Sequence, residues 1–225
     1  MSRRNPLALA VLSCLLEKPM HPYEIASTLR SRGKELSIKL NYGSLYAVVE
    51  SLHKRGLVSP LETSREGRRP ERTVYSITEA GRIEHEDWLA ELLSTPVREF
   101  TSLEAGLSLM PGIAPDEVAG LLEQRAERLR MQLRALDAMH SVATESAVPA
   151  LFLVEGRYRQ VLLAAELDFV VELAHGIRGA TFPGVKLWRR MHELQAEGIG
   201  FEQIASDPVG YLGEEGRALL PPTPA

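Results

Sequence analysis

Aromatic side chains are scarce, at 6% of the 225 residues. Strands are enriched in aromatics, so the shortage favours helix over sheet. Cysteine is almost absent. Cys14 alone cannot form an internal disulfide, so a reducing cytoplasm is the expected compartment, and among leucines it reads as a buried small hydrophobe. No apolar run approaches the roughly 20 residues of a membrane span, so no membrane partner is expected. The opening MSRRNPLALAVLSCLLEKP joins a basic tip to an apolar stretch, as secretion signals do. No small-residue cleavage site follows, however, and Glu17 and Lys18 lead into further helix, so residues 6–17 read as a folded core helix.

Catalytic signatures are also missing. There is no Gly-rich phosphate loop, no G-x-S-x-G and no assignable carboxylate pair, so neither an enzyme nor a cofactor is expected. None of the six histidines has zinc-site spacing, so no metal is expected. The run Glu84, His85, Glu86, Asp87 reads as a solvated helix face, because neighbours on a helix point different ways. Trp88 and Trp188 read as core packing rather than the lining of a cavity. His140 closes a heptad seam described below and reads as an interface histidine.

The charge that is present is uneven. The chain carries 26 basic and 30 acidic residues, a net −4, yet residues 1–98 are net positive and residues 99–225 net negative. A mildly basic front half on an acidic chain points to a local anionic partner.

The order of elements narrows that partner. Asn5 caps and Pro6 opens a first helix that Pro19 stops; Pro22 opens a second that ends at Gly33. Asn41 caps a third, with Leu45, Val48, Val49 and Leu52 as its inward stripe, Lys54 and Arg55 in its last turn and Gly56 beyond. The period then changes to two: LVSPLETS and TVYSIT read as strands, with Thr73, Tyr75 and Ile77 alternating against Val74 and Ser76. Between them lies a turn bearing Arg65, Arg68, Arg69 and Arg72, with Gly67 and Pro70 as turn formers. Thr78 caps a further helix that ends near Pro96. Three short helices, a hairpin and a helix leading out make a winged helix-turn-helix.

In that arrangement the helix from Asn41 enters the major groove with Tyr42, Gly43, Ser44 and Tyr46 at its tip. Gly43, a poor helix former, admits close approach of DNA. Lys39 reaches a phosphate, and the start of the second helix, at His21 and Tyr23, offers backbone N–H groups to another. Arg68, Arg69 and Arg72 on the wing lie along the backbone or in the adjacent minor groove. Taken alone, an arginine-rich turn is a solvated turn. Here it falls where the fold puts its wing.

The segments HPYEIASTLR, NYGSLYAVVESLHKRGLV and GRRPERTVYSITEAGR resemble signature segments of the PadR family of bacterial transcriptional regulators, in order and spacing, over roughly residues 7–90. The resemblance implies a homodimeric winged-helix repressor whose carboxy-terminal helices make the dimer, with Tyr42, Ser44 and Tyr46 in the recognition helix and Arg68 and Arg69 in the wing. Ala47 departs from the family, which usually has proline after the Leu-Tyr pair; alanine straightens the helix and leaves the docking mode intact. Release by a small hydrophobic effector is likewise an expectation from the family.

Beyond a short helix and the break PGIAPD, Val118, Leu122, Ala126, Leu129, Leu133, Leu136 and His140 form an a/d seam on a long helix. A second long helix over about 148–178 carries Tyr158, Leu162, Ala165, Phe169 and Leu173 on one side, and a third covers about 185–197. The seam could pack within its own chain or against a second subunit. The dimer is favoured, with Leu122, Leu129, Leu133 and Leu136 at its interface.

The expected fold class is therefore mainly α: a winged helix-turn-helix at 1–96, a helical dimerisation region at 97–205 and a flexible tail at 206–225. The expected function is sequence-specific binding of double-stranded DNA by a homodimer that regulates transcription, most simply as a repressor. The alternative is a ligand- or protein-binding module that uses the winged helix only as a scaffold.

Overall fold

The computed structural model describes residues 5–64 and 72–219 and divides into two units, Met1–Glu99 and Phe100–Ala225. The protein is mainly helical, with one small antiparallel sheet. No helix among the described residues is long and apolar enough to cross a membrane.

In the amino-terminal unit, α1 (Pro6–Glu17) starts at Asn5, whose Oδ1 accepts from the Leu7 N–H at 3.0 Å. Eight of its residues are buried, including Leu7, Val11, Leu12 and Leu15, so it is the centre of the unit rather than an amphipathic face. α2 (Pro22–Ser31) and α3 (Tyr42–Lys54) pack on it through Ile25, Ala26, Leu29, Leu45, Val49 and Leu52. The larger of these, Ile25, Leu29, Leu45, Val49 and Leu52, each contribute about 1.5–3 kcal/mol by leaving water. Gly56, at φ +72°, takes the left-handed conformation that ends α3. Arg32 clasps Glu17 with its two terminal guanidinium nitrogens, joining the ends of α1 and α2 and holding the Glu17 carboxyl below its usual range.

The hairpin follows as β1 (Val58–Ser64) and β2 (Arg72–Ile77), antiparallel, with Val58 opposite Ile77 and Pro60 opposite Tyr75. A bulge between Pro60 and Glu62 leaves Leu61 unpaired and exposed. Met20 adds a third rung: its N–H and C=O exchange hydrogen bonds of 3.0 Å with Tyr75, so the ribbon is tied to the α1–α2 connection. Because Tyr75 turns both polar groups towards Met20, the facing Pro60 sits where its missing N–H costs the ladder nothing.

α4 (Glu79–Ser94) begins at Thr78. Its Oγ1 accepts from the Gly81 N–H at 3.1 Å and donates to Gly56 O at 2.8 Å. The helix lies so close to Leu57 that a Cβ on Gly81 would come within 2.1 Å of Leu57 O. It packs on α1 through Trp88 and His85. His85 is only 8% exposed, which corrects the solvated-face expectation for that residue. The Ser13 hydroxyl donates to Leu9 O at 3.0 Å, so its oxygen accepts from His85 Nε2 at 2.8 Å. His85 is thereby held with its proton on Nε2, and its buried Nδ1 has no hydrogen-bond partner among the described residues. Burial pushes its pKa down, against a smaller opposing effect of Glu86. Cys14 is buried, as expected, and burial raises its thiol pKa.

The carboxy-terminal unit opens with α5 (Ser102–Leu109), capped by Thr101, and continues into a 3-10 turn, Met110–Gly112. The two long helices are α6 (Pro115–Glu145) and α7 (Val154–Arg178). They form an antiparallel hairpin: Glu123 meets Arg178, Arg125 meets Glu166 and Asp137 meets Gln160. α6 ends at Ala147, at φ +55°, with the Val148 N–H returning to Ala143 O. Pro149 and a 3-10 turn, Ala150–Leu153, then delay α7 to Val154, six residues after the expected start, because a residue before proline is steered away from helix.

The seam is divided, which corrects part of the expected dimer interface. Leu122 and Leu129 are 6% and 4% exposed because α7 of the same chain covers them with Val170, Leu173, Ala174 and Ile177. Leu133 and Leu136 are half-buried and His140 is exposed. α8 (Val185–Ala196) closes this core with Trp188, whose Nε1 donates to Ile113 O at 3.0 Å. The described part of the expected flexible tail is folded. α9 (Phe201–Ser206) and α10 (Pro208–Leu212) are followed by a 3-10 helix, Gly213–Leu219. Ile204, Pro208 and Gly216 are buried, and a Cβ on Gly216 would come within 2.1 Å of Pro208 O. Residues 220–225 lie outside the described residues.

Candidate nucleic-acid interface

The amino-terminal end of α3 is solvent-facing, and its construction begins at Asn41. That residue is extended, at φ −136° and ψ 151°, and its Oδ1 accepts from the Ser44 N–H at 2.7 Å. The Ser44 hydroxyl turns back onto the same cap, bonding Asn41 Oδ1 and also Asn41 O at 3.2 Å. Asn41 Oδ1 and Ser44 Oγ are thus engaged in building the helix start. The inward stripe holds the helix in place: Leu45, Val49 and Leu52 are buried and Val48 is half-buried.

The remaining tip residues face outward. Gly43 is exposed, and a Cβ there would meet only Asn41 Oδ1 at 3.9 Å, an ordinary contact. The chain's own packing therefore does not require glycine at this position. Tyr46 is 48% exposed and Lys39 is exposed. Tyr42 is the first residue of α3; its side chain lies outside the described residues.

α2 starts beside this tip. The His21 and Tyr46 rings meet edge-on, 6.2 Å apart and inclined at 71°. His21 caps α2: its Nδ1 accepts from the Tyr23 N–H at 3.1 Å, and Glu24 Oε2 accepts from the His21 N–H at 3.0 Å. The expectation that these N–H groups stand open for a phosphate is corrected, because a histidine-glutamate capping box already takes them. Tyr23 remains as a 57% exposed side chain. The capping box was readable in the sequence as a polar residue, a first-turn proline and a glutamate at the third helical position. The His21–Tyr46 ring contact had no sequence signal, since it joins two helices.

On the wing side, Arg68 and Arg69 lie outside the described residues. Arg72 opens β2, paired with Ser64, and its side chain lies outside them too. The strands expected to carry the wing are present and anchored, by Tyr75 and Ile77 on the core and by Met20 on the far side of β2. No group of three or more potential metal-ligating side chains occurs among the described residues. Trp88 and Trp188 are both buried, in separate cores.

The candidate interface has a cap-built helix tip with a bare glycine, an exposed Tyr46 beside it and a lysine just before the cap.

Comparison with known proteins agrees with this geometry. Residues 11–87 match the family described as "Transcriptional regulator PadR-like family", so the resemblance seen in the three sequence segments holds over this stretch. No protein of curated function matches the chain. Among solved structures, PadR of Bacillus subtilis in complex with operator DNA is 17% identical, covers 77% of this chain and 99% of its own, and superposes with a TM-score of 0.58. The Vibrio cholerae virulence activator AphA is 15% identical, with the same coverages and a TM-score of 0.59. The Bacillus subtilis PadR complex with p-coumaric acid is 16% identical, covers 75% and 93%, and has a TM-score of 0.58. At these identities the likeness is one of fold.

Proposed function

We propose, from an amino-terminal unit that matches PadR-like regulators, that the chain is a homodimeric, sequence-specific DNA-binding regulator of transcription. It works in the cytoplasm as a repressor that a small apolar effector releases. The observation that carries DNA binding is the α3 tip. It presents Lys39, Gly43 and Tyr46 on an exposed surface while Leu45, Val49 and Leu52 fix the helix from behind. The tip and Tyr23 read bases and positions, and Arg68, Arg69 and Arg72 neutralise phosphates. The operator-bound relative supports the same use of the fold. A relative bound to p-coumaric acid supports release by an effector.

The dimer is supported by a stripe on α7. Tyr158, Leu162 and Phe169, spaced as in a heptad seam, are 65%, 51% and 49% exposed, on a helix whose other face is already packed. A second copy laid along this stripe and beside Leu133 and Leu136 covers it. Two-fold pairing then sets two recognition helices about one DNA turn, roughly 34 Å, apart.

The test is selection of bound DNA from a random pool, followed by retardation at several salt concentrations. A two-fold symmetric site is expected. Arg68→Ala with Arg69→Ala should weaken all sequences and flatten the salt slope by about 1.8, from about 0.9 per phosphate lost. An unchanged slope would remove the wing from the interface. Transcription from the selected site, with and without the protein, decides between repression and activation.

A further inference from the structure

His21 is fixed from several sides. Its Nδ1 accepts from the Tyr23 N–H at 3.1 Å, which ties the imidazole to the first turn of α2. Its own N–H donates to Glu24 Oε2 at 3.0 Å, and its carbonyl accepts from the Ile25 N–H at 3.1 Å. Pro22 follows and keeps the backbone extended, at φ −76° and ψ 148°. The ring so held meets Tyr46 of α3, with centroids 6.2 Å apart and planes inclined at 71°, inside the range that aromatic pairs prefer.

Capping alone does not call for histidine. Asn, Asp and Ser are the usual caps, and each can accept the same kind of bond. What histidine adds is a ring, and the ring reaches α3. Tyr46 has a use for it. Side chains on a helix lean back over the preceding turn. Three residues before Tyr46 stands Gly43, which has no side chain to lean on. Support comes across from α2 instead. Ile25, Ala26 and Leu29 share one core with Leu45 and Val49, and that core fixes the spacing of cap and ring. Tyr46 meanwhile stays 48% exposed.

We infer that His21 is a positioning residue for DNA reading: its imidazole presets the Tyr46 ring before the duplex arrives. An exposed tyrosine without a neighbour samples several rotamers, and ordering it on binding lowers affinity. A ring already ordered in the free protein is spared that loss. One residue thus starts α2 and aims a side chain of α3. The inference rests on the proposed DNA binding and adds to it a residue that acts through another.

The experiment is a double-mutant cycle in the full chain with His21→Asn, Tyr46→Ala and both together. Asparagine keeps the cap and removes the ring, and melting curves confirm that each variant folds. Fluorescence anisotropy measures affinity for the selected site and for a scrambled duplex. His21→Asn should weaken the selected site about 2- to 12-fold, the range for one side chain that must be ordered on binding. The scrambled duplex and the salt slope should not change, because no phosphate contact is lost. In the Tyr46→Ala background, His21→Asn should have no further effect beyond about twofold. NMR of the free protein with labelled tyrosine rings gives a readout without DNA: His21→Asn should move the Tyr46 ring resonances as the ring-current shift disappears.

Unmoved Tyr46 resonances overturn the inference, since the rings then do not hold one another in solution. So do effects that simply multiply in the double variant, or an equal loss on both duplexes, since His21 then acts by itself. A shallower salt slope in His21→Asn makes it a phosphate ligand and sinks the inference too. In each of these cases wild type still binds its site and the regulator stands. If wild type binds no DNA, the regulator falls and the inference falls with it.

Discussion

Replacing Gly43 with alanine should separate the needs of the chain from those of its ligand. Glycine in a helix loses backbone entropy on folding, and alanine recovers up to about 1 kcal/mol where nothing obstructs the methyl. Only Asn41 Oδ1, at 3.9 Å, would touch it, so no clash offsets the gain. For a chain of this size that gain raises the melting temperature by about 2–4 °C. Binding should move the other way. Gly43 is exposed in the first turn of α3, where the backbone can approach a base edge or phosphate, and a methyl there holds the duplex off. Loss of one specific contact costs about 1–3 kcal/mol, or roughly 5- to 150-fold in affinity. The phosphate count is untouched, so the salt slope should stay the same. Calorimetric melting and fluorescence anisotropy, on the selected site and a scrambled one, measure both effects. A variant that melts higher and binds its site as tightly as wild type would refute the placement of this tip against DNA.

Four further outcomes are expected. Gly81→Ala should destabilise the amino-terminal unit by more than about 2 kcal/mol in urea unfolding, as expected of overpacking, because its Cβ would come within 2.1 Å of Leu57 O. Ala147→Gly and Ala180→Gly, at φ +55° and +54°, should each stabilise the carboxy-terminal unit by about 0.5–1 kcal/mol in the same assay, by relieving left-handed strain. His85 should make stability depend on pH. Its folded pKa lies below its unfolded value of about 6.5, so the unfolded chain binds more protons in between. Stability is then full above about 6.5 and falls as pH drops through that window. His85→Gln should flatten this dependence, and a pH profile unchanged by the substitution would show that another group sets it.

Much of this was legible from local chemistry. The caps at Asn5, Asn41 and Thr78, the stripe of α3 and the two strands each follow from a few adjacent residues, and the structure has them where the sequence put them. What failed to show was decided by distant partners. Periodicity gave the seam from Val118 to His140 but could not say who covers it; α7 of the same chain takes Leu122 and Leu129. The Met20–Tyr75 rung and the Ser13–His85 pair join residues far apart in the chain, and no pattern in either segment announces them. Gly and Pro in the last segment suggested looseness, whereas Gly216 and Pro208 are there because one packs on the other. At the candidate interface, the sequence located the α3 tip but left open the α2 N–H groups that Glu24 and His21 close.

The hairpin has a border that no strand among the described residues covers. Along β1 the outward-facing positions alternate with those bonded to β2, and two of them, Val58 and Pro60, are already disarmed. His53 Nδ1 bonds Val58 O at 3.1 Å, and Pro60 has no N–H to offer. A passing strand from another molecule therefore loses one acceptor at Val58 and one donor at Pro60 along this edge. That makes this stretch of β1 a poorer template for edge-to-edge pairing, and the bulge at Leu61 skews the remaining edge away from flat stacking.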